Sequence, residues 1–206
     1  MLKKREITLL VGLVIIFAMV FAACGEAGGE DGVVELGSRG PGGGVIVYEN
    51  EEGRTIVGPG PGGEEETFKY FEAFLLPQKY ALGEFSTFGD DSEHPKKGDS
   101  ESFDFGMGKY NTQRLVALGS PAAKACADYR GGGYSDWFLP SVAEVVEIIS
   151  KGDFISEYGN IRFWTSSLST PWGLHLAKPD DLEFTLGNWY ADGNEPHFVI
   201  AVRAFN

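Results

Sequence analysis

The sequence predicts an α+β fold resting on a small antiparallel sheet. Three observations lead there. Strand-like segments stand at both ends of the folded region and helix-like segments between them, and segregated runs of this kind mark α+β chains. The two clearest helices carry their own punctuation, a capping serine in front and glycine behind. Nowhere do strand and helix alternate as a parallel sheet requires.

The first strand signal is Val45-Ile46-Val47-Tyr48, introduced by Gly42-Gly43-Gly44. Residues 58–63, Gly-Pro-Gly-Pro-Gly-Gly, mark a loop. Phe68 to Leu76 is dense in aromatics and reads as a second strand, stopped by Pro77. Residues 83–108 read as a long surface loop punctuated by Phe85, Phe88, Phe103 and Phe105. A short helical turn spans Thr112 to Leu118. A helix then starts at Ser120-Pro121, an N-cap followed by proline at the first helical position. Ala122, Ala125, Cys126 and Tyr129 recur at helical spacing up to Gly131-Gly132-Gly133. The next helix begins at Ser141, where Ser141 and Glu144 form a capping box. Val142, Val145, Val146 and Ile149 make its apolar stripe, and Gly152 suits its C-terminal cap. Short strands follow at Phe163-Trp164-Thr165, Leu174 to Ala177, Phe184 to Leu186 and Phe198 to Phe205, separated by turn residues.

Composition narrows the function. The chain has 206 residues, 43% of them apolar and 13% aromatic, which excludes a wholly disordered chain. Its net charge of −13 argues against nucleic acid, whose phosphates recruit basic surfaces. Two cysteines make no disulfide framework. Residues 1–6 open with Lys3, Lys4 and Arg5, and residues 7–23 form an uncharged apolar run, the plan of a secretory signal peptide. Phe21-Ala22-Ala23-Cys24 resembles the bacterial lipobox, with Phe21 where leucine is usual. The resemblance implies cleavage of a lipoprotein signal peptide, residues 1–23, and lipidation of Cys24, which becomes the membrane attachment. Several acyl chains on one cysteine hold a protein on a membrane, at roughly 0.8 kcal/mol per buried methylene. The cleaved chain carries −15, because the leader takes Lys3, Lys4, Arg5 and Glu6 with it. Gly25 stands where many inner-membrane lipoproteins have aspartate, which favours the outer membrane or cell surface. Residues 24–39 read as a Gly/Glu-rich tether, and 40–206 as the folded domain.

Familiar chemistry is sparse. Gly40-Pro41-Gly42-Gly43-Gly44 precedes a strand, whereas phosphate loops follow one and open a helix. His94, His175 and His197 lie far apart without zinc spacing, so no metal is assigned. No Gly-x-Ser-x-Gly elbow occurs, and Ser166-Ser167 reads as hydroxyls serving backbone groups at a strand end. Cys126 reads as a small buried hydrophobe. Glu64-Glu65-Glu66 and Asp90-Asp91 read as solvated loop charge. Asp180, Asp181, Glu183, Asp192 and Glu195 gather in the late loops with Trp172, Asn188, Trp189 and Tyr190. Carboxylate and amide oxygens are the donors calcium takes, but no ligand pattern supports calcium and no cofactor is assigned. Trp189 beside Asn188 suits a carbohydrate platform, although tryptophan is more often a core filler, and Trp172 suits either place equally.

Gly131-Gly132-Gly133-Tyr134-Ser135-Asp136-Trp137-Phe138-Leu139-Pro140-Ser141, followed by Glu144, resembles the Gly-Gly-x-x-Asp-Trp-x-Leu-Pro-(Ser/Thr)-x-x-Glu signature of the Lcl C-terminal domain family. Three further blocks resemble that family in the same order: Gly40 to Tyr48, Gly106 to Thr112, and the pair Phe163-Trp164-Thr165-Ser166-Ser167 with Val202-Arg203-Ala204-Phe205. The resemblance covers about residues 40–205. It implies a C-type-lectin-like fold with two helices packed on a small antiparallel sheet and a long loop region. Asp136, Trp137, Leu139, Pro140, Glu144, Trp164 and Arg203 are then chiefly scaffold, with Arg203 expected to pair with a carboxylate such as Asp136. The family's adhesin binds sulfated glycosaminoglycans, which need basic clusters. Lys96-Lys97 and Lys109 are this chain's modest candidates. The expected function is non-catalytic recognition of a glycan or protein through residues 167–196, with Trp172, Asn188, Trp189, Tyr190, Asp192 and Asn194 as contacts. Two rivals stand beside it. One is a structural envelope protein without a small ligand. The other is an enzyme related to formylglycine-generating oxidases, which use cysteine chemistry and would need Cys126.

Overall fold

The computed structural model describes residues 34–57, 65–83, 104–150, 161–168, 171–175, 189–190 and 193–206, the last short segments before 193 by backbone alone. The expected signal peptide, Cys24 and most of the expected tether lie outside the described residues, as do the expected strand at 184–186, Lys96-Lys97 and Gly152. Residues Val34–Asn206 form one unit. Among the described residues no helix is long and apolar enough to cross a membrane.

Two antiparallel sheets carry the fold. The first holds β1 (Val45–Val57), β2 (Glu65–Leu75) and β6 (Ile200–Phe205), with β2 in the middle. The second holds β3 (Arg162–Leu168), β4 (Pro171–His175) and β5 (Trp189–Tyr190) in that order. β1 runs far past the four residues that look like strand in sequence. Its polar middle is carried by irregular register between Glu49 and Arg54, where Gly53 supplies a positive φ of 79°. A bulge leaves residues off the ladder without ending the strand. Ahead of β1, Gly37 donates to Ile46 and Ile46 to Ser38, so residues 37–39, expected in the tether, already belong to the sheet's edge.

Three α-helices are described where two were expected. They are α1 (Gly108–Ala117), α2 (Pro121–Ala127) and α3 (Val142–Ser150). The expected short turn at 112–118 is a ten-residue helix. The sequence hides its start because Met107 makes no side-chain cap. Glu144 caps α1 from α3 instead, accepting the N–H groups of Gly106 at 3.1 Å and Gly108 at 3.3 Å. The other two helices begin as their local signals predict. Ser120 Oγ accepts the Ala123 N–H at 3.3 Å. Ser141 Oγ accepts the Glu144 N–H at 3.3 Å while Glu144 Oε2 accepts the Ser141 N–H at 2.6 Å.

The core has two parts, and β6 with Val199 just ahead of it faces both. Ile200 and Val202 pack with Tyr48, Phe68, Phe71, Phe138, Val145, Ile148 and Phe163. Val199 and Ala201 pack with Leu115, Ala122, Cys126, Trp137, Leu139 and Trp164. Alternation along a strand produces this division. On α3, Val145, Ile148 and Ile149 are buried while Val142 and Val146 are half-buried, so the stripe is rotated slightly from its expected position. The signature segment stitches the sheets together. Phe138 and Val202 exchange backbone bonds at 2.8 and 2.9 Å, and Pro140 accepts from Ser166 N–H at 2.8 Å.

Candidate functional site

Three of the six late-loop contact candidates lie on the β4–β5 ladder. Trp172 lies opposite Tyr190, and Gly173 opposite Trp189, in antiparallel register. β4 is joined in turn to β3, with Trp164 opposite Gly173. Three aromatic positions separated by up to 18 residues of sequence thus share one short ladder. Asn194 is exposed on the segment that returns to β6. Asn188 and Asp192 lie outside the described residues.

The signature residues form a second centre at the first sheet. Glu72 on β2 is fully buried and directly opposite Arg203 on β6. Arg203 Nη1 donates to Glu72 Oε1 at 3.0 Å, and Arg203 Nε donates to Asp136 Oδ1 at 2.7 Å. Gly42 N–H reaches both Glu72 oxygens, at 2.8 and 3.0 Å. The glycine loop of residues 40–44 is therefore latched to a buried charge pair. No side chain fits there: a Cβ on Gly42 would meet Glu72 Oε1 and, at 2.5 Å, the Trp137 ring. Gly132, at φ 59°, packs against the backbone of Pro41 and Gly42 and closes the loop from the other side. Trp137 is buried beneath, edge-on to Tyr129 with ring centroids 4.8 Å apart. Its Nε1 has no acceptor among the described residues.

Glu144 forms the third centre. Its carboxylate is fully buried and receives N–H groups from Gly106, Gly108 and Ser141. Burial pushes its pKa up to about 7, against the pull of those same bonds toward the charged form. Nearby, Thr112 Oγ1 accepts the Leu139 N–H at 2.9 Å and lies 2.7 Å from the Gly108 carbonyl. Leu139 and Pro140 are buried, which fixes the approach to α3. Trp164, also buried, donates Nε1 to the Tyr80 carbonyl at 2.9 Å.

The remaining chemical candidates take structural places. Cys126 is buried 3.7 Å from the Ile200 carbonyl, and desolvation drives its thiol far above the usual range. A thiol so placed is a poor nucleophile. Ser167 Oγ accepts the Val142 N–H at 2.9 Å, the backbone service expected of it, whereas Ser166 Oγ is buried with no partner among the described residues, against the expectation. Lys109 is paired with Glu66 at 2.7 Å. His197 is half-buried against Trp164, with ring centroids 4.9 Å apart, and its Nε2 sits 3.6 Å from Glu195. That distance is beyond hydrogen-bond reach. Among the described residues no three His, Cys, Asp or Glu side chains gather as a metal would require.

Glu72 is the residue that sequence reasoning missed. The one available signal was an acid inside the run Phe68 to Leu75, where an unpaired charge would be costly. Comparison of the chain with protein-family models finds no match, and neither do the comparisons with curated proteins and with solved structures.

Proposed function

We propose that the chain is a lipid-anchored cell-envelope lipoprotein, fastened through Cys24 after loss of residues 1–23. It displays a non-catalytic, C-type-lectin-like domain that recognises a glycan or protein outside the cytoplasm. The observation that carries the recognition reading is the β4–β5 ladder, which pairs Trp172 with Tyr190 and places Trp189 next to them in register, opposite Gly173. Binding residues concentrate on loops held by a rigid scaffold. The lectin-like assignment draws support from helices packed beside a sheet in which β2 is flanked by the first and last strands. It draws further support from the signature segment, bonded to both sheets. Burial of Cys126 weighs for recognition over cysteine catalysis. The chain's acidity weighs against polyanionic ligands and nucleic acid.

Two experiments test this. Mass spectrometry of the mature N-terminus, with proteolysis of intact cells, should find an acylated Cys24 on an exposed protein. An N-terminus at Met1 rejects the anchor. On a glycan array, Trp189→Ala should abolish binding by the wild-type chain, and unchanged binding rejects the ladder as the contact.

A further inference from the structure

We propose that the face of the first sheet around Tyr134 binds a neutral saccharide, at a place separate from the late loops. The register sets Tyr70 opposite Phe205 and Glu72 opposite Arg203, and positions two apart share a face of a sheet. The Tyr70 and Phe205 rings are 5.4 Å apart between centroids. The Arg203 guanidinium carbon lies 5.3 Å from the Phe205 ring centre and 3.5 Å from that of Tyr134. A row of rings therefore runs from Tyr70 through Phe205 and Arg203 to Tyr134. Tyr134 is 37% exposed, one of three large apolar side chains so open among the described residues. Arg203 lies over its ring, and more than a third of the residue stays open to solvent.

The chemistry of the row selects the occupant. Its one cation is spent, because Arg203 gives Nη1 to Glu72 and Nε to Asp136. An anionic sugar would meet a neutralised guanidinium on a chain of charge −13. Asp136 keeps acceptor capacity: only Oδ1 is engaged among the described residues, and the side chain is 41% exposed. A carboxylate accepts hydroxyl protons, and an open ring takes the apolar C–H face of a pyranose. The two carboxylates fix Arg203, and Arg203 fixes the ring, so little ordering is left for binding to impose.

The inference rests on the glycan branch of the function proposed above and names a different contact. The full-length chain in detergent is titrated by calorimetry with neutral hexasaccharides of glucose and of N-acetylglucosamine, and with heparin for comparison. One neutral hexasaccharide is expected to bind. Tyr134→Ala should weaken it about tenfold, and Tyr134→Phe by less than about threefold. A melting curve for each variant guards against loss of fold. No neutral binding at about 10 mM, preference for heparin, or equal affinity in Tyr134→Ala overturns the site. Trp189→Ala separates the two readings. Loss there with Tyr134→Ala unaffected rejects the Tyr134 site and keeps the loops, whereas the reverse pattern rejects the loops alone.

Discussion

Arg203 faces Glu72 across the β6–β2 ladder, with Nη1 3.0 Å from Oε1, although 131 residues separate them in sequence. Glu72 is fully buried and the Arg203 side chain is 9% exposed. Breaking such a pair leaves a charge in the interior without compensation. Arg203→Met should therefore cost about 3–5 kcal/mol. The double variant Glu72→Met/Arg203→Met should recover part of that loss, since it removes both charges. Urea unfolding measures all three chains, and a single variant as stable as wild type would dismiss the pair as a structural element.

Asp136 shares the same guanidinium from a more open position, 41% exposed. Its bond to Arg203 Nε is short at 2.7 Å, but water screens it. Asp136→Ala should destabilise by about 0.5–1 kcal/mol, well below the Arg203 variant. Melting temperatures of the two variants, taken together, check the ranking.

The glycine loop yields a sharper contrast. A Cβ at Gly42 would collide with the Glu72 carboxylate and the Trp137 ring. Neither can retreat, since one is held by Arg203 and the other is buried. Gly133, at φ 83°, has nothing within 4 Å of its would-be Cβ. Gly133→Ala should cost about 1–2 kcal/mol, the strain of the left-handed backbone. Gly42→Ala adds overpacking at a core contact and should cost about 1–3 kcal/mol plus the weakened latch. Equal costs would remove the steric argument.

What could be read in the sequence depended on how far apart the partners lie. α3 was legible because Ser141 and Glu144 cap each other within one turn. The start of α1 was not, because its cap is the same Glu144, 36 residues beyond Gly108. β1 was cut short in sequence because the polar run after Tyr48 carries no strand pattern, and the ladder resumes only at Arg54, opposite Phe68. The role of Arg203 toward Asp136 was anticipated and is found at 2.7 Å. Glu72, the stronger partner, escaped notice because nothing within its own strand reveals a cation on a strand so distant. For the late loops, sequence supplied aromatic residues and only the register supplied the pairing of Trp172 with Tyr190.

Glu144 makes the stability of the fold depend on pH, in a direction opposite to that of a salt-bridged acid. Its pKa rises from an ordinary 4.5 to about 7 on folding, because burial outweighs the N–H groups that favour the charged form. Between those values the folded chain holds a proton that the unfolded chain has released. Stability from this group is thus fully present below about pH 4.5 and is lost as pH rises through about 7. The whole excursion amounts to roughly 3 kcal/mol at the usual 1.36 kcal/mol per pKa unit. Glu144→Gln keeps the capping-box pattern without a titrating proton. Its stability relative to wild type should improve steadily from pH 5 to pH 8, as measured by urea midpoints at each pH. A constant difference across that range would mean that Glu144 ionises in the folded chain as it does in water.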